Sequence, residues 1–152
     1  MEVFRLHASC VAIDRQGVLL LGEPGMGKSD LALRLIDRGA QLVADDRVEL
    51  ACRDEQIFAS VPSAIAGLIE VRGLGIFTLK GKDMPEAPVL LVVHLAKQEW
   101  IERLPHPEPY DCLGVQIPQL RLCAFEHSAA IKIEMAVAAL QDGSMTVGAL
   151  KE

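Results

Sequence analysis

Apolar and polar positions alternate along VFRLHASCVAI, residues 3–13, break at Asp14-Arg15-Gln16-Gly17, and resume as the apolar run GVLLL. A period of two marks a half-buried strand, and a polar break with glycine marks a reversal, so the first twenty residues predict a hairpin feeding a buried strand. After Ser29 the period changes. Leu31, Ala32, Leu35 and Ile36 recur at the spacing of one helical face, and the segment closes on Gly39, a residue suited to a helix C-terminus. Strand, glycine-rich turn and helix follow in that order.

QLVADD and RVELAC predict two short strands separated by little more than Asp45-Asp46, and EQIFASVP predicts a further strand or turn. Through IAGLIEVRGLGIFTL, glycines at 67, 73 and 75 argue against a continuous helix and for a loop around Arg72-Gly73. VLLVVHLA, residues 89–96, is apolar almost throughout and predicts a central strand buried on both faces. Prolines at 105, 107 and 109 make the stretch 99–109 a loop. LRLCAF predicts a short strand. SAAIKIEMAVAAL predicts the last helix, its methionine read as core, ending near Asp142-Gly143 and followed by a frayed tail, SMTVGALKE. Without a repeat, heptad run or low-complexity linker, the reading is one domain over 1–152.

Composition narrows the function classes. A chain of 152 residues that is 51% hydrophobic can bury a continuous core. Its net charge is −6, and its 15 basic residues are scattered, so no stripe offers itself to nucleic acid. The apolar runs fall well short of the roughly 20 residues of a membrane-spanning helix, and no membrane partner is expected. The N-terminus has no charged leader with an apolar core, which makes the cytoplasm the expected compartment. Cys10, Cys52, Cys112 and Cys123 never take the paired spacing of a zinc site and read as reduced, core-type thiols.

The glycine-rich turn carries the candidate chemistry. Gly22-Glu23-Pro24-Gly25-Met26-Gly27-Lys28-Ser29 fits G-x-x-x-x-G-K-S, and it lies between a strand and a helix, the context that such a phosphate-binding loop requires. Glycines let successive backbone N–H groups turn inward and cup an anion at the positive end of the helix. Lys28 would reach the outer phosphates of a nucleotide, and the Ser29 hydroxyl would bind Mg²⁺. The next carboxylates along the chain are Asp45 and Asp46. Neighbours in a strand point to opposite faces, so one would face the phosphates while the other braces the turn or binds Arg47; the pattern does not say which.

Together LHASCVAI, GEPGMGKSDLALRLIDRGAQLVADDRVEL and LIEVRGLGIFTL resemble the catalytic domain of bacterial HPr kinase/phosphorylase, over most of the chain. The resemblance implies an α/β fold, a phosphate-loop-containing mixed sheet with flanking helices like that of phosphoenolpyruvate carboxykinase. It implies the short form, without the family's N-terminal regulatory domain. It also implies transfer of phosphate from ATP, with Mg²⁺, to a serine of the phosphocarrier protein HPr. Carried over residue by residue, Asp46 becomes the base that takes the serine proton, and His7 sits beside it. Lys28 contacts the transferring phosphate, Ser29 and Glu70 hold Mg²⁺, and Arg103 offsets charge on the phosphoryl group. Hexamers are the family's assembly, and homo-oligomerisation is implied on that ground alone.

The later family loop Lys-Val-Gly-Arg-Asn, tied to removing phosphate from phosphoserine-HPr, falls here on Phe125-Glu126-His127-Ser128. A carboxylate at the place of an anion-binding backbone repels phosphate, so kinase activity with weak or absent phosphorylase activity is expected. His94, His106 and His127 have no partners at metal spacing and read as structural. Two other activities fit a phosphate loop: a small-molecule kinase with the proline-rich loop as a lid, and a nucleotide-sensing module without turnover.

Overall fold

A computed structural model describes residues 2–145 and 148–150. In chain order the strands and helices are β1 (Val3–Leu6), β2 (Ser9–Ile13), β3 (Gln16–Leu21), α1 (Lys28–Asp37), β4 (Gln41–Ala44), β5 (Val48–Arg53), β6 (Gln56–Ser60), β7 (Leu68–Val71), β8 (Gly75–Thr78), β9 (Glu86–Leu95), β10 (Tyr110–Cys112), β11 (Val115–Ile117), β12 (Gln119–Leu122) and α2 (Ala129–Asp142). The fold is α/β, with one mixed sheet and few helices.

The ten-residue β9 organises the sheet because its length serves three partners. Along one edge it pairs with β3 in parallel. On the other edge Glu86–Pro88 pairs antiparallel with β6 and Val92–Leu95 pairs in parallel with β12. The order is β1-β5-β6-β9-β3-β2-β4, with β12 alongside β9. The predicted central strand is therefore β9, and the predicted opening hairpin is β2–β3, joined through Asp14 and Arg15 at φ 51° and 66°. Both residues take positive φ, as a two-residue type I′ connection requires.

Each face of this sheet has its own core. Val18 and Leu20 of β3 and Leu91 and Val93 of β9 meet Leu31 and Leu35 of α1 and Ile133 and Val137 of α2. The alternate residues Leu19, Leu21 and Val92 pack on the far side with Leu50, Ile57, Cys112 and Ile117. Each fully buried leucine contributes roughly 1.5–3 kcal/mol, which fixes α1 on the sheet and with it the loop at its head. The helix ends as its sequence indicates: Gly39, at φ 115°, donates to Ile36 O, and Ala40 donates to Leu35 O, the paired bonds of a Schellman motif.

Three expectations change. The stretch taken as a loop around Arg72-Gly73 is a hairpin, β7–β8, with Gly73 at φ 89° in its turn. The helix α2 turns Ala129, Ala130, Ile133, Ala136 and Val137 inward, so Met135 faces solvent instead of core. The inward stripe repeats at helical spacing, and Met135 falls on the opposite face. The tail does not simply fray, since Leu150 is buried in the helix-side core; residues 146–147 and 151–152 of that stretch lie outside the described residues. Among the described residues no helix is long and apolar enough to cross a membrane.

Candidate active site

The loop between β3 and α1 begins where β3 leaves the sheet beside the end of β9, Leu21 standing opposite His94. Gly27 forms the N-cap of α1 at φ 91°, ψ 23°, and no side chain caps the helix. The first intrahelical bond runs from Leu31 N to Gly27 O at 2.9 Å. Among the described residues, the N–H groups of Gly25, Gly27, Lys28 and Ser29 therefore have no hydrogen-bond acceptor. A cluster of unpartnered donors at the positive end of a helix is an anion site in waiting. Gly25, at φ 87°, has open space where a Cβ would stand, which leaves the loop's rim clear. Lys28 folds back, its Nζ donating to Gly22 O at 2.6 Å and Glu23 O at 3.3 Å. Those carbonyls occupy the ammonium that a phosphate would otherwise take.

Below the loop lies a buried carboxylate. Asp45, 8% exposed, follows β4, and its Oδ1 accepts from Ser29 Oγ at 2.7 Å and from Ser9 Oγ at 3.2 Å. Its Oδ2 accepts from the backbone N–H of Glu70 at 3.1 Å. One side chain thus ties together α1, β2 and β7. Three donors on one carboxyl group satisfy most of its acceptor capacity, which is why so polar a side chain can lie in so dry a place.

Asp46 goes the other way. At φ 71° its backbone is left-handed, its N–H donates to Ser9 Oγ at 3.3 Å, and its carboxylate meets His7 Nδ1 at 3.2 Å. Both side chains are mostly exposed, in contrast to Asp45. His7 is not a residue of an apolar strand but of the bend between β1 and β2, so its ring reaches out to Asp46. It also lines a cleft of about 480 Å³, walled by Leu6, Val48, Pro62 and Ile65 with Arg47 at its edge.

The structure accordingly brings His7, Asp46, Lys28 and Ser29 into one region, linked by Ser29–Asp45–Ser9–Asp46 hydrogen bonds. Glu70 joins through its main chain, while its carboxylate is exposed. Arg103 stands exposed in the stretch after the short 3-10 turn Gln98–Trp100, and among the described residues it makes no hydrogen bond or ion pair. Nothing in the geometry links it to the phosphate loop.

Ser9 is the participant that the sequence did not single out, and Asp45 is the one of the two candidate aspartates that lies under the loop. Ser9 is a small hydroxyl in an apolar strand, and only the pairing of Cys10 with Ala44 sets it beside Asp45. Next to Ser9, Cys10 is fully buried, and loss of solvent pushes its thiol up to about 12. That thiol is an inert core group. All four cysteines are free.

Known proteins resemble this chain in sequence and in fold. The family model described as "HPr Serine kinase C-terminal domain" matches residues 1–152. The HPr kinase/phosphorylase of Lacticaseibacillus casei is 34% identical over 159 residues, covering 96% of this chain and 49% of that protein. That of Limosilactobacillus reuteri is 44% identical over 96 residues, covering 59% of this chain and 30% of its own length. This chain thus spans half or less of these relatives. The solved structure of the HPr(Ser) kinase/phosphatase from Coxiella burnetii superposes with a TM-score of 0.82 at 32% identity, covering 92% of this chain and 97% of that one.

Proposed function

The chain belongs to the HPr serine kinase C-terminal domain family, and from that premise we propose that it transfers the γ-phosphate of ATP to a serine hydroxyl of the phosphocarrier protein HPr, with Mg²⁺ as the resident cation. The observation that supports this most is the run of hydrogen bonds from Ser29 through Asp45 and Ser9 to Asp46. It fixes the phosphate loop and the His7–Asp46 pair relative to each other before any substrate arrives. Such preorganisation is what phosphoryl transfer needs from a protein, since positioning and charge do most of the work.

In the forward step the HPr serine oxygen attacks the γ-phosphorus, the bond to the bridging oxygen of ADP breaks, and the hydroxyl proton passes to the Asp46 carboxylate. His7 orients that carboxylate through Nδ1. Lys28 exchanges its two loop carbonyls for the phosphates, and the free N–H groups of Gly25, Gly27 and Lys28 hold the remaining phosphate oxygens. Ser29 Oγ and the Asp45 carboxylate, 2.7 Å apart, form the hard oxygen pair suited to Mg²⁺. They would hold it, and the ion would offset the charge of the phosphates; Glu70 keeps its place as a metal ligand from the resemblance alone. The cleft behind His7 leaves room for the HPr segment around the serine. Arg103 keeps its role in charge stabilisation from the resemblance alone.

The reverse reaction is expected to be weak. Glu126 places its carboxylate 2.6 Å from Lys132, and its N–H already donates to Cys123 O at 3.3 Å, so this loop has little left to offer inorganic phosphate. Incubating the protein with ATP, Mg²⁺ and HPr should give phosphoserine-HPr, while phosphoserine-HPr with inorganic phosphate should stay largely unchanged. Asp46→Asn should lower kcat by about 10²–10⁴-fold with nucleotide binding retained. Full activity in that variant, or no phosphoserine-HPr at any ratio of substrates, would sink the reading.

A further inference from the structure

The loop 123–128 between β12 and α2 leans on the phosphate loop, yet the proposed reaction makes no use of it. It is held from two sides. Arg34 of α1 donates to Ala124 O and, at 3.5 Å, to Glu126 O, while Lys132 of α2 holds the Glu126 carboxylate. Between these anchors stands Phe125, 62% exposed. A phenyl ring left in water on a segment pinned at both flanks is an apolar surface without a use in the folded chain.

Its position gives it one. A methyl group built on Gly27 would lie 3.2 Å from Cε1 and 3.4 Å from Cζ of Phe125, and 2.9 Å from Cβ of Ala124. One edge of the ring therefore touches the loop at the residue before Lys28, at the head of α1, and the rest of it faces solvent. Gly27 is itself one of the residues whose unpartnered N–H groups would take phosphates. A nucleotide held there by its phosphates must put its base somewhere within the length of a ribose. We propose that Phe125 is the platform on which that base stacks. Every nucleobase has a π-face, so the platform gives affinity for nucleosides as a class and little choice among bases.

This inference rests on the nucleotide reading of the phosphate loop, and the test separates the two. Calorimetry in Mg²⁺ would compare ADP with inorganic pyrophosphate, which carries the same number of phosphates without a base. For the unchanged protein both should bind. Phe125→Ala should weaken ADP about tenfold or more and leave pyrophosphate unchanged. Phe125→Trp should restore ADP affinity, and its added emission, set against the single native tryptophan, should be quenched by ADP and not by pyrophosphate. Equal weakening of both ligands in Phe125→Ala would mean that the ring only shapes the loop, and an unchanged ADP affinity would mean that the base lies elsewhere; either overturns the inference while the nucleotide reading stands. If the unchanged protein bound neither ligand, both readings would fall together.

Discussion

The left-handed backbone of Asp46, at φ 71°, is what divides two adjacent aspartates between two jobs. Aspartate tolerates that conformation better than most residues, and the twist turns its carboxylate out to His7 while Asp45 stays under the phosphate loop. Their substitutions should therefore differ sharply in what they cost the fold. Asp45→Ala strands the hydroxyls of Ser29 and Ser9 and the N–H of Glu70, so a loss of roughly 2–4 kcal/mol is expected in urea unfolding. Asp46→Asn removes a charge from an exposed pair and should stay within about 0.5 kcal/mol of the parent by the same measurement. Equal losses would contradict this division. The sequence places both aspartates at the end of a strand and names the loop they serve. Which one turns inward depends on the register of β2 against β4 and on a single positive φ, and neither has a signature along the chain.

At the scale of elements, the strand, loop and helix around Lys28 are legible because three independent patterns coincide there: an apolar run, spaced glycines and a helical stripe that closes on Gly39. The hairpin β10–β11 is not legible. Its strands have three residues each, and its turn uses Leu113 at φ 49° before Gly114 at φ 83°, where an asparagine or aspartate would have signalled the reversal. The β7–β8 hairpin lies between these cases, since its glycines are visible but its short strands read as loop. Leu74 N donates to Val71 O at 2.9 Å across Gly73, giving the glycine its required third place in a type II turn. Gly73→Val should cost about 1–2 kcal/mol locally. Because this hairpin is tied to the site by the Glu70 amide, the variant should show faster hydrogen exchange at that amide while amides of β3 and β9 keep their protection. Uniform acceleration would mean that the hairpin is not an independent unit.

Across the whole molecule, a sheet covered on both faces buries groups whose ionisation the folded state then resists, and this gives stability a pH dependence of fixed sign. Cys10 lies in β2, between β3 and β4, in the core on the sheet face away from the helices, and burial raises its thiol from 9.0 to about 12. Above pH 9 the unfolded chain loses this proton while the native protein keeps it. The native state then binds more protons, so stability falls with rising pH, by roughly 1.4 kcal/mol per unit for one such group, between 9 and 12. Below pH 9 both states hold the proton and the group contributes no slope. Burial also raises Cys112 and Tyr110, which adds to the loss in the same direction. Urea unfolding of the parent and of Cys10→Ala at pH 8, 9 and 10, under reducing conditions, isolates the one thiol. At pH 8 the variant should be less stable because it leaves a small void. As the pH rises that deficit should shrink, since only the parent has a proton to lose on unfolding. Two parallel curves would show that the Cys10 thiol ionises as readily in the folded protein as in the unfolded chain, and that the far-side core is wetter than its packing implies.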